Sequence, residues 1–272
     1  MMPRTVVVVP CFNEASRLDG EAFAAAVDVY PGLEFLFVDD GSTDGTAQVL
    51  ERLVARNPER LAWLKLPQNS GKAEAVRQGM LAAFAANPDL VGFLDADLAT
   101  PISELTSMAA MFEDEEVLAV LASRVAMLGR DIRRSTWRHY TGRVFATLAS
   151  TVLDLQVYDT QCGAKLFRNT PVVQEVFASP FLSSWAFDVE ILARMRELHR
   201  AGQIPDLTRV VVEVPLKRWM DVRGSKISLT DSIIATSQVL MIGWRYRNRS
   251  ARSRVESASR VLPGDAAGRK EG

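Results

Sequence analysis

Short apolar runs alternate with polar loops and helix-like stretches in the N-terminal part of the chain. The runs are dominated by β-branched, aromatic and leucine residues and cover 6–9, 33–38, 61–66 and 90–94. Apolar runs of this length, bounded by turn residues, are typical of buried strands. The segment 73–86 has the length and composition of a helix, and residues 42–44 can cap the helix after the second run. The recurrence predicts an α/β fold with a mostly parallel, twisted sheet flanked by helices.

A polar loop follows each of the four runs. The loops hold residues 11–14, 39–44, 69–72 and 95–100. In open sheets of parallel strands, ligands bind in the crevice beyond the carboxyl ends of the strands, where all four loops are expected to meet. A single site of nucleotide size is therefore the most economical interpretation.

The loop after the fourth run carries two carboxylates, Asp95 and Asp97, one residue apart. Side chains at alternate positions of a strand point the same way, so both carboxylates can reach one point if the chain stays extended there. With no cysteine or histidine nearby, these oxygens suit a hard divalent cation, Mg²⁺ or Mn²⁺, that also holds phosphates. Helix caps and solvated turns also produce this spacing, and the other three loops are what favours a metal site.

The composition is that of a globular enzyme and excludes few functions. The chain has 272 residues, 48% of them hydrophobic and 24% charged, which is enough for one large core. We expect one domain over residues 1–248 and a basic, disordered tail over 249–272. The net charge of −1 gives no indication of a nucleic-acid partner. Two cysteines, Cys11 and Cys162, are too few for a disulfide framework and indicate a reducing, cytoplasmic location.

Basic residues concentrate in the segment 124–143 and from Arg245 onward. No apolar stretch approaches the roughly 20 residues of a spanning helix, so we expect none. Residues 228–246 can form an amphipathic helix, and Trp244 beside Arg245 suits a membrane interface. A core helix packed on the sheet is the alternative for that segment, and simple solubility is the alternative for the basic tail. The pattern allows peripheral contact with the cytoplasmic face of a membrane and leaves the oligomeric state open.

The four loops also carry recognisable motifs. They read Val-Pro-Cys-Phe-Asn-Glu (9–14), Val-Asp-Asp-Gly-Ser-Thr-Asp-Gly-Thr (38–46), Asn-Ser-Gly-Lys-Ala-Glu-Ala-Val (69–76) and Asp-Ala-Asp-Leu-Ala-Thr-Pro (95–101). This series resembles the successive motifs of family 2 glycosyltransferases. Segments 159–167, 185–190 and 224–226 narrow the similarity to the dolichyl-phosphate β-glucosyltransferase branch and its bacterial polyprenyl-phosphate relatives. The resemblance spans residues 5–246 and implies the GT-A fold, a nucleotide-diphosphate sugar and a divalent metal.

For the donor, the resemblance implies inverting transfer of a hexose, with glucose favoured, from a UDP-sugar. Asp97, supported by Asp95, would hold Mg²⁺ or Mn²⁺ against the leaving diphosphate. Asp39 or Asp40 would accept hydrogen bonds from uracil or ribose, with a helix-capping loop as the alternative. The Gly-Lys pair ending at Lys72 falls far short of a P-loop and argues against a nucleoside triphosphatase. The implied donor-binding residues are Pro10, Asn13, Glu14, Asp39, Asp40, Ser42, Lys72, Asp95 and Ala96.

Two acceptor classes remain open. A lipid phosphate needs cations and no base, because its oxygen is already anionic, and the candidate cations are Arg124, Arg134, Lys165 and Lys226. A hydroxyl acceptor needs a carboxylate to take its proton, and Asp188 is the candidate, with an ordinary helix N-terminus as the alternative. We favour a polyprenyl phosphate, with Asp97, Arg124 and Asp188 as the catalytic group. Residues 159–165 are expected to close over the phosphates, with Gly163 allowing a close backbone approach.

One residue departs from the family pattern, and two other protein classes compete. Ala99 stands where polyprenyl-phosphate mannose synthases carry a glutamine metal ligand, so water must complete the metal shell. A sugar-nucleotide uridylyltransferase would show a glycine-rich N-terminal loop with arginine and lysine, which residues 9–14 lack. A non-catalytic sugar-nucleotide-binding protein would not need both aspartates together with Arg124 and Lys226.

Overall fold

A computed structural model describes residues 2–133, 136–220 and 234–246, with the side chains in these ranges except those of 133–141. The strands are β1 (Thr5–Cys11), β2 (Leu33–Asp39), β3 (Leu61–Lys65), β4 (Leu90–Leu94), β5 (Ala119–Ser123), β6 (Asp131–Arg133), β7 (Ala164–Arg168), β8 (Val211–Pro215) and β9 (Arg218–Met220). The helices are α1 (Gly20–Val29), α2 (Thr46–Val54), α3 (Lys72–Ala85), α4 (Glu104–Ala110), α5 (Thr136–Leu153), α6 (Pro171–Ala178), α7 (Phe187–Arg200), α8 (Leu207–Val210) and α9 (234–246).

The main sheet has seven strands in the order β3-β2-β1-β4-β7-β5-β8. Strands β1 to β4 are parallel to one another, and β5 is parallel to β8. Strand β7 lies between β4 and β5 and is antiparallel to both. A separate parallel pair is formed by β6 and β9. The predicted α/β fold with a mostly parallel sheet is therefore confirmed. The predicted strands and helix α3 are present with ends that differ by at most two residues, as is usual for boundaries read from sequence.

Both faces of the sheet are buried, which explains why its strands read as continuous apolar runs. Val6 and Val8 of β1 face a cluster that includes α3, α6, α7 and α9. Val7 and Val9 face the other cluster, which includes α1, α2 and α4. The two faces alternate along β1 because successive side chains of a strand point to opposite sides.

Helix α3 lies unusually close to the sheet because of Gly79. A β-carbon at this position would lie 2.3 Å from Val8 Cγ1 and 2.8 Å from Val38 Cγ2. Any larger residue would push α3 away from β1 and β2. The close packing fixes the N-terminus of α3, and hence Lys72, at the carboxyl edge of the sheet.

The C-terminal part of the chain is only partly described. Residues 234–246 are helical, as expected for that part of the predicted amphipathic helix, and residues 228–233 and the tail 249–272 lie outside the described residues. Within the described ranges, no helix has both the length and the apolar character that crossing a bilayer requires.

Candidate active site

The four loops beyond β1, β2, β3 and β4 each contain one residue with a left-handed backbone. These residues have φ values of 54°, 67°, 88° and 51° and are Asn13, Gly41, Gly71 and Leu98. Asparagine and glycine adopt this conformation readily, but a leucine does so at a cost of about 1–2 kcal/mol. A strained residue held in place by its surroundings is typical of functional loops. Here Leu98 immediately follows Asp97.

The loops after β1 and β2 are hydrogen-bonded to one another. The Asn13 amide donates to Ser42 Oγ at 3.0 Å, and Asn13 Oδ1 accepts from the Thr43 amide at 2.9 Å. The Glu14 amide donates to Thr46 Oγ1 at 2.8 Å, at the start of α2. Two predicted donor-binding residues, Asn13 and Ser42, therefore hold the loops together. Pro10 is half-buried at the end of β1, paired with Val38 of β2.

Asp39 and Asp40, at the end of β2, have different surroundings. Asp40 accepts the amides of Ser70 and Gly71 at 2.7 and 2.8 Å, so both of its oxygens are used to hold the loop before Lys72. Burial raises the pKa of Asp40, and the two amide hydrogen bonds oppose this shift. Asp39 Oδ1 accepts the Ser42 amide at 2.9 Å, while Oδ2 is buried with no hydrogen-bond partner among the described residues. Of the two aspartates, Asp39 has the acceptor oxygen to offer.

Asp95 lies between Lys72 and the backbone of Gly163. Its Oδ1 is 2.6 Å from Lys72 Nζ, and its amide donates to the Gly163 carbonyl at 2.9 Å. Burial disfavours the charged form of Lys72, but the carboxylates of Asp95, Asp188 and Asp97 outweigh it and raise the pKa of Lys72. Electrostatically, these residues form one site. The structure thus brings together four chain segments: the start of α3, the loop after β4, the turn before β7 and the start of α7.

Asp97 is held by its own loop. Its Oδ1 accepts the Ala99 amide at 3.1 Å, and Ala96 is buried under the loop. Burial, and next the charge of Asp95, raise the pKa of Asp97. Burial also raises the pKa of Glu14, with Asp97 adding to the shift and Arg17 opposing it. The site is therefore rich in closely spaced negative charge, which a cation would stabilise.

The donor atoms fit a magnesium or manganese ion. Asp95 and Asp97 supply hard carboxylate oxygens, the ligand type that both ions accept. Within the described ranges, no group of three or more histidine, cysteine, aspartate or glutamate side chains is arranged to hold a metal. A metal here would therefore take two protein carboxylates and complete its shell with donor phosphates and water, as the alanine at position 99 requires.

Lys165 and Asp188 form a buried ion pair. Lys165 Nζ lies 2.5 Å from Asp188 Oδ1 and donates to the Cys162 carbonyl at 2.8 Å. The ammonium also lies 5.2 Å from the centre of the Phe93 ring. Burial raises the pKa of Asp188, and the charge of Lys165 opposes the shift. The ammonium of Lys165 is fully buried in this pair, and the expected contact of Lys165 with the acceptor stays a prediction.

Arg124 directly follows β5 and binds Asp159 with its guanidinium. Nε and Nη2 donate to the two carboxylate oxygens at 2.6 and 2.8 Å, and the guanidinium lies 5.3 Å from the centre of the Trp219 ring. Asp159 is itself fixed, since its amide and that of Tyr158 donate to Glu213 at 2.9 and 2.8 Å. The acceptor-side candidates Arg134 and Lys226 lie outside the described residues.

Sequence reasoning missed two partners of the predicted residues. Asp159, the partner of Arg124, lies 35 positions along the chain, and local patterns do not reveal such a pairing. Gly163 packs against Asp95, a contact that the sequence did not indicate, and its close approach to the phosphates stays a prediction. A β-carbon on Gly163 would lie 2.1 Å from Asp95 Oδ2 and 2.3 Å from Cγ. The local signal for the contact between Gly163 and Asp95 is the presence of a glycine in the motif 159–167.

Comparisons with known proteins agree with this geometry. Residues 6–174 match the family model described as glycosyl transferase family 2. A dolichyl-phosphate β-glucosyltransferase of Dictyostelium discoideum is 30% identical over 255 residues, 88% of this chain and 74% of that protein. The enzyme of that name from Saccharomyces cerevisiae is 31% identical over 258 residues, with the same coverage of 88% and 74%.

Solved structures support the fold. Glucosyl-3-phosphoglycerate synthase of Mycobacterium tuberculosis superposes with a TM-score of 0.62 at 18% identity, covering 90% of this chain and 80% of that one. The same synthase in complex with Mn²⁺ and UDP-glucose gives a TM-score of 0.58 at 17% identity, covering 90% and 79%. At this identity the likeness shows a shared architecture. The chain belongs to glycosyl transferase family 2 and is a glycosyltransferase with the GT-A fold.

Proposed function

We propose that the enzyme transfers glucose from UDP-glucose to a polyprenyl phosphate of the dolichyl type, with inversion at the sugar. The observation that carries the proposal is the cluster of Asp95, Asp97 and Lys72 at the carboxyl edge of the sheet. The dolichyl-phosphate β-glucosyltransferases, similar over 88% of the chain, support this acceptor and this sugar. The catalytic unit in this proposal is residues 1–248, acting at the cytoplasmic face of a membrane.

On the donor side, Asp95 and Asp97 would hold Mg²⁺ or Mn²⁺, which when bound neutralises charge on the departing diphosphate. Asp39 Oδ2 lacks a hydrogen-bond partner among the described residues, so it would accept a hydrogen bond from an N–H or hydroxyl group of the UDP-sugar. Lys72 sits at the N-terminus of α3, where the helix dipole also favours phosphate. Its ammonium adds a positive charge on the side of Asp95.

On the acceptor side, the phosphate oxygen is the nucleophile and has no proton to lose. The requirement is positive charge that fixes its position, and Arg124 is the described candidate. Its pairing with Asp159 uses Nε and Nη2, so Nη1 makes no hydrogen bond to the described residues. A guanidinium held in this way keeps a donor in a fixed direction, which favours phosphate binding. Arg134 and Lys226 complete the proposed set.

A hydroxyl acceptor is the second candidate, and Asp188 is the observation that favours it. Asp188 is a buried carboxylate in the first turn of α7, close enough to Lys72 to raise the pKa of that lysine. A base in this position could take a proton from a sugar or glycerate hydroxyl. Lys165 would then keep the carboxylate ionised.

The direct test is product formation by purified protein. Labelled UDP-glucose and a polyprenyl phosphate should yield a labelled lipid, whereas GDP-mannose in place of the donor should not. Calorimetry should show UDP binding at least about tenfold tighter than GDP, about 1.4 kcal/mol. Transfer from GDP-mannose alone, or labelling only of hydroxyl acceptors, would overturn the proposal.

Two variants separate the acceptor classes. Arg124→Lys keeps the charge beside Asp159 but loses the guanidinium fork. Its kcat/KM for lipid phosphate should fall by a factor equivalent to about 1.5–3 kcal/mol of transition-state stabilisation, with little change in UDP affinity. For a lipid-phosphate acceptor, Asp188→Asn should not change the shape of the pH–rate profile, because the reaction uses no base. The reverse result, a mild effect at Arg124 and loss with Asp188→Asn of the low-pH limb that reports a base, would assign a hydroxyl acceptor. Melting temperatures of both variants control for folding.

A further inference from the structure

Helix α9 exposes an apolar face on the surface of the protein. Leu240, Met241 and Trp244 are 54%, 42% and 69% exposed, and Ile234, 44% exposed, lies at the edge of the same face. At 3.6 residues per turn these positions fall on one side of the helix. The opposite side is buried and consists of Ala235, Val239, Ile242 and Tyr246. The helix is therefore buried along one side, and its uncovered side presents four large apolar side chains around the small exposed Ser237.

The buried side of α9 is connected to the site. Gln238 Oε1 accepts the Ser183 hydroxyl at 2.6 Å and the Trp185 amide at 3.1 Å. These residues form the loop that leads directly into α7 and Asp188. The Trp185 carbonyl in turn accepts Gln161 Nε2 at 3.1 Å, from the turn that carries Asp159. Helix α9 is therefore joined by hydrogen bonds to the segments that carry Asp188 and Asp159.

The chemistry of this face indicates a membrane surface. Tryptophan and leucine beside an arginine are typical of helices that lie in the interface of a bilayer. Arg245 is exposed next to Trp244, and the sequence continues with Arg247, Arg249, Arg252 and Arg254. Each such cation near an anionic membrane strengthens binding. The charge complements anionic lipid and would repel a second copy carrying the same residues.

We propose that the outer side of α9 docks on an anionic bilayer and presents the acceptor half of the site to the membrane surface. The docking itself is independent of the reaction, and only its purpose rests on the proposed lipid acceptor. A lipid phosphate embedded in the bilayer would then reach Arg124 without leaving the interface.

The test uses the full chain and vesicles of phosphatidylcholine, with or without phosphatidylglycerol. The wild-type protein should sediment with vesicles that contain phosphatidylglycerol, and salt should weaken the binding. Leu240→Ser combined with Trp244→Ser should weaken vesicle binding by at least about tenfold. Arg245→Gln should reduce the preference for anionic vesicles. The matched control is Val29→Ser, which changes an equally exposed valine on α1, over the other face of the sheet, and should bind like wild type.

Several outcomes would overturn the docking proposal. They are failure of the wild-type protein to bind either vesicle, unchanged binding of the double variant, or a dimer in solution that the double variant dissociates. Should the double variant not fold by circular dichroism, Trp244→Ala alone and the shift of tryptophan emission on adding vesicles to wild type decide the question. The chain has five tryptophans, so the vesicle-induced shift to shorter wavelength should be present in wild type and smaller in Trp244→Ala, and equal shifts in the two proteins contradict insertion of Trp244.

Activity separates docking from the proposed reaction. The double variant should lose transfer to a bilayer-embedded polyprenyl phosphate and keep transfer to a short-chain, water-soluble one. If neither acceptor is used by wild type while vesicle binding behaves as expected, the proposed reaction fails and the docking surface stands. If both acceptors are used equally by the double variant, the surface has no part in delivering the acceptor, and the presentation of the site to the membrane is refuted.

Discussion

Replacing Gly163 by alanine tests whether the position of Asp95 controls the reaction. The added β-carbon would lie 2.1 Å from Asp95 Oδ2 and 2.3 Å from its Cγ, far inside any normal contact. The carboxylate must move by about 1 Å or more, which also disturbs the 2.6 Å pair with Lys72. A misplacement of this size costs about 100-fold in rate, equivalent to about 2.7 kcal/mol. We therefore expect kcat/KM for glucose transfer to fall by about that factor.

A second glycine provides the matched control. Gly45 lies at the start of α2 with φ −78°, and a β-carbon there would meet Ala15 Cβ at 3.6 Å and Gln48 Oε1 at 3.9 Å, both ordinary contacts. Gly45→Ala should therefore retain wild-type kcat/KM. Metal-dependent UDP binding, measured by calorimetry, should weaken in Gly163→Ala and not in Gly45→Ala. This readout does not depend on the identity of the acceptor.

A double-mutant cycle decides whether the effect passes through Asp95. Asp95→Ala removes the carboxylate that the new β-carbon would strike, so adding Gly163→Ala to it should change kcat/KM by less than about threefold. Losses that add in full would show that Gly163 acts through another contact. Wild-type activity of Gly163→Ala alone would refute the reasoning directly.

Two further predictions concern charge at the site. Asp97→Asn should lower transfer by about 100-fold or more, roughly 3 kcal/mol, and EDTA should abolish the activity until Mg²⁺ or Mn²⁺ is added; undiminished turnover in chelator contradicts a metal site. Glu14→Gln should gain stability relative to wild type as pH rises. The pKa of Glu14 is raised by burial, so the folded state holds its proton more tightly than the unfolded state, and stability falls as pH rises from about 4 through the raised value. Urea unfolding of both proteins at pH ~4 and ~7 measures the free energy of unfolding of Glu14→Gln minus that of wild type. A value that falls between pH ~4 and ~7 would contradict the prediction.

The meeting of the four loops could be predicted because its signals are local. Each apolar run ends in a loop whose polar residues follow within a few positions, and parallel strands bring these ends together. The sequence could not distinguish Asp39 from Asp40, since the difference lies in which amides each carboxylate accepts. Asp40 binds the loop after β3, 30 positions away, and only the folded chain shows it.

The acceptor half was less predictable because its residues are paired across long stretches of chain. Strand β7 enters the sheet antiparallel between β4 and β5, so Lys165 faces a helix that begins more than 20 positions later. No periodicity in the sequence marks the inward direction of that lysine. Its buried pairing with Asp188 follows from the strand order, which local patterns do not determine.

This difference in construction decides how each half should be probed. The loops on the donor side are held by hydrogen bonds between backbone and side chain, each worth about 0.5–1.5 kcal/mol, so single substitutions there leave the fold intact. On the acceptor side, Arg124–Asp159 and Lys165–Asp188 are buried ion pairs. Removing one partner leaves an uncompensated charge, at a cost of about 3–5 kcal/mol. An alanine at Arg124 or Lys165 would therefore report lost stability together with lost catalysis, whereas Arg124→Lys keeps the positive charge of its pair. Asp188→Asn keeps the volume of the side chain but leaves the Lys165 ammonium without its carboxylate, so its activity must be compared with its melting temperature.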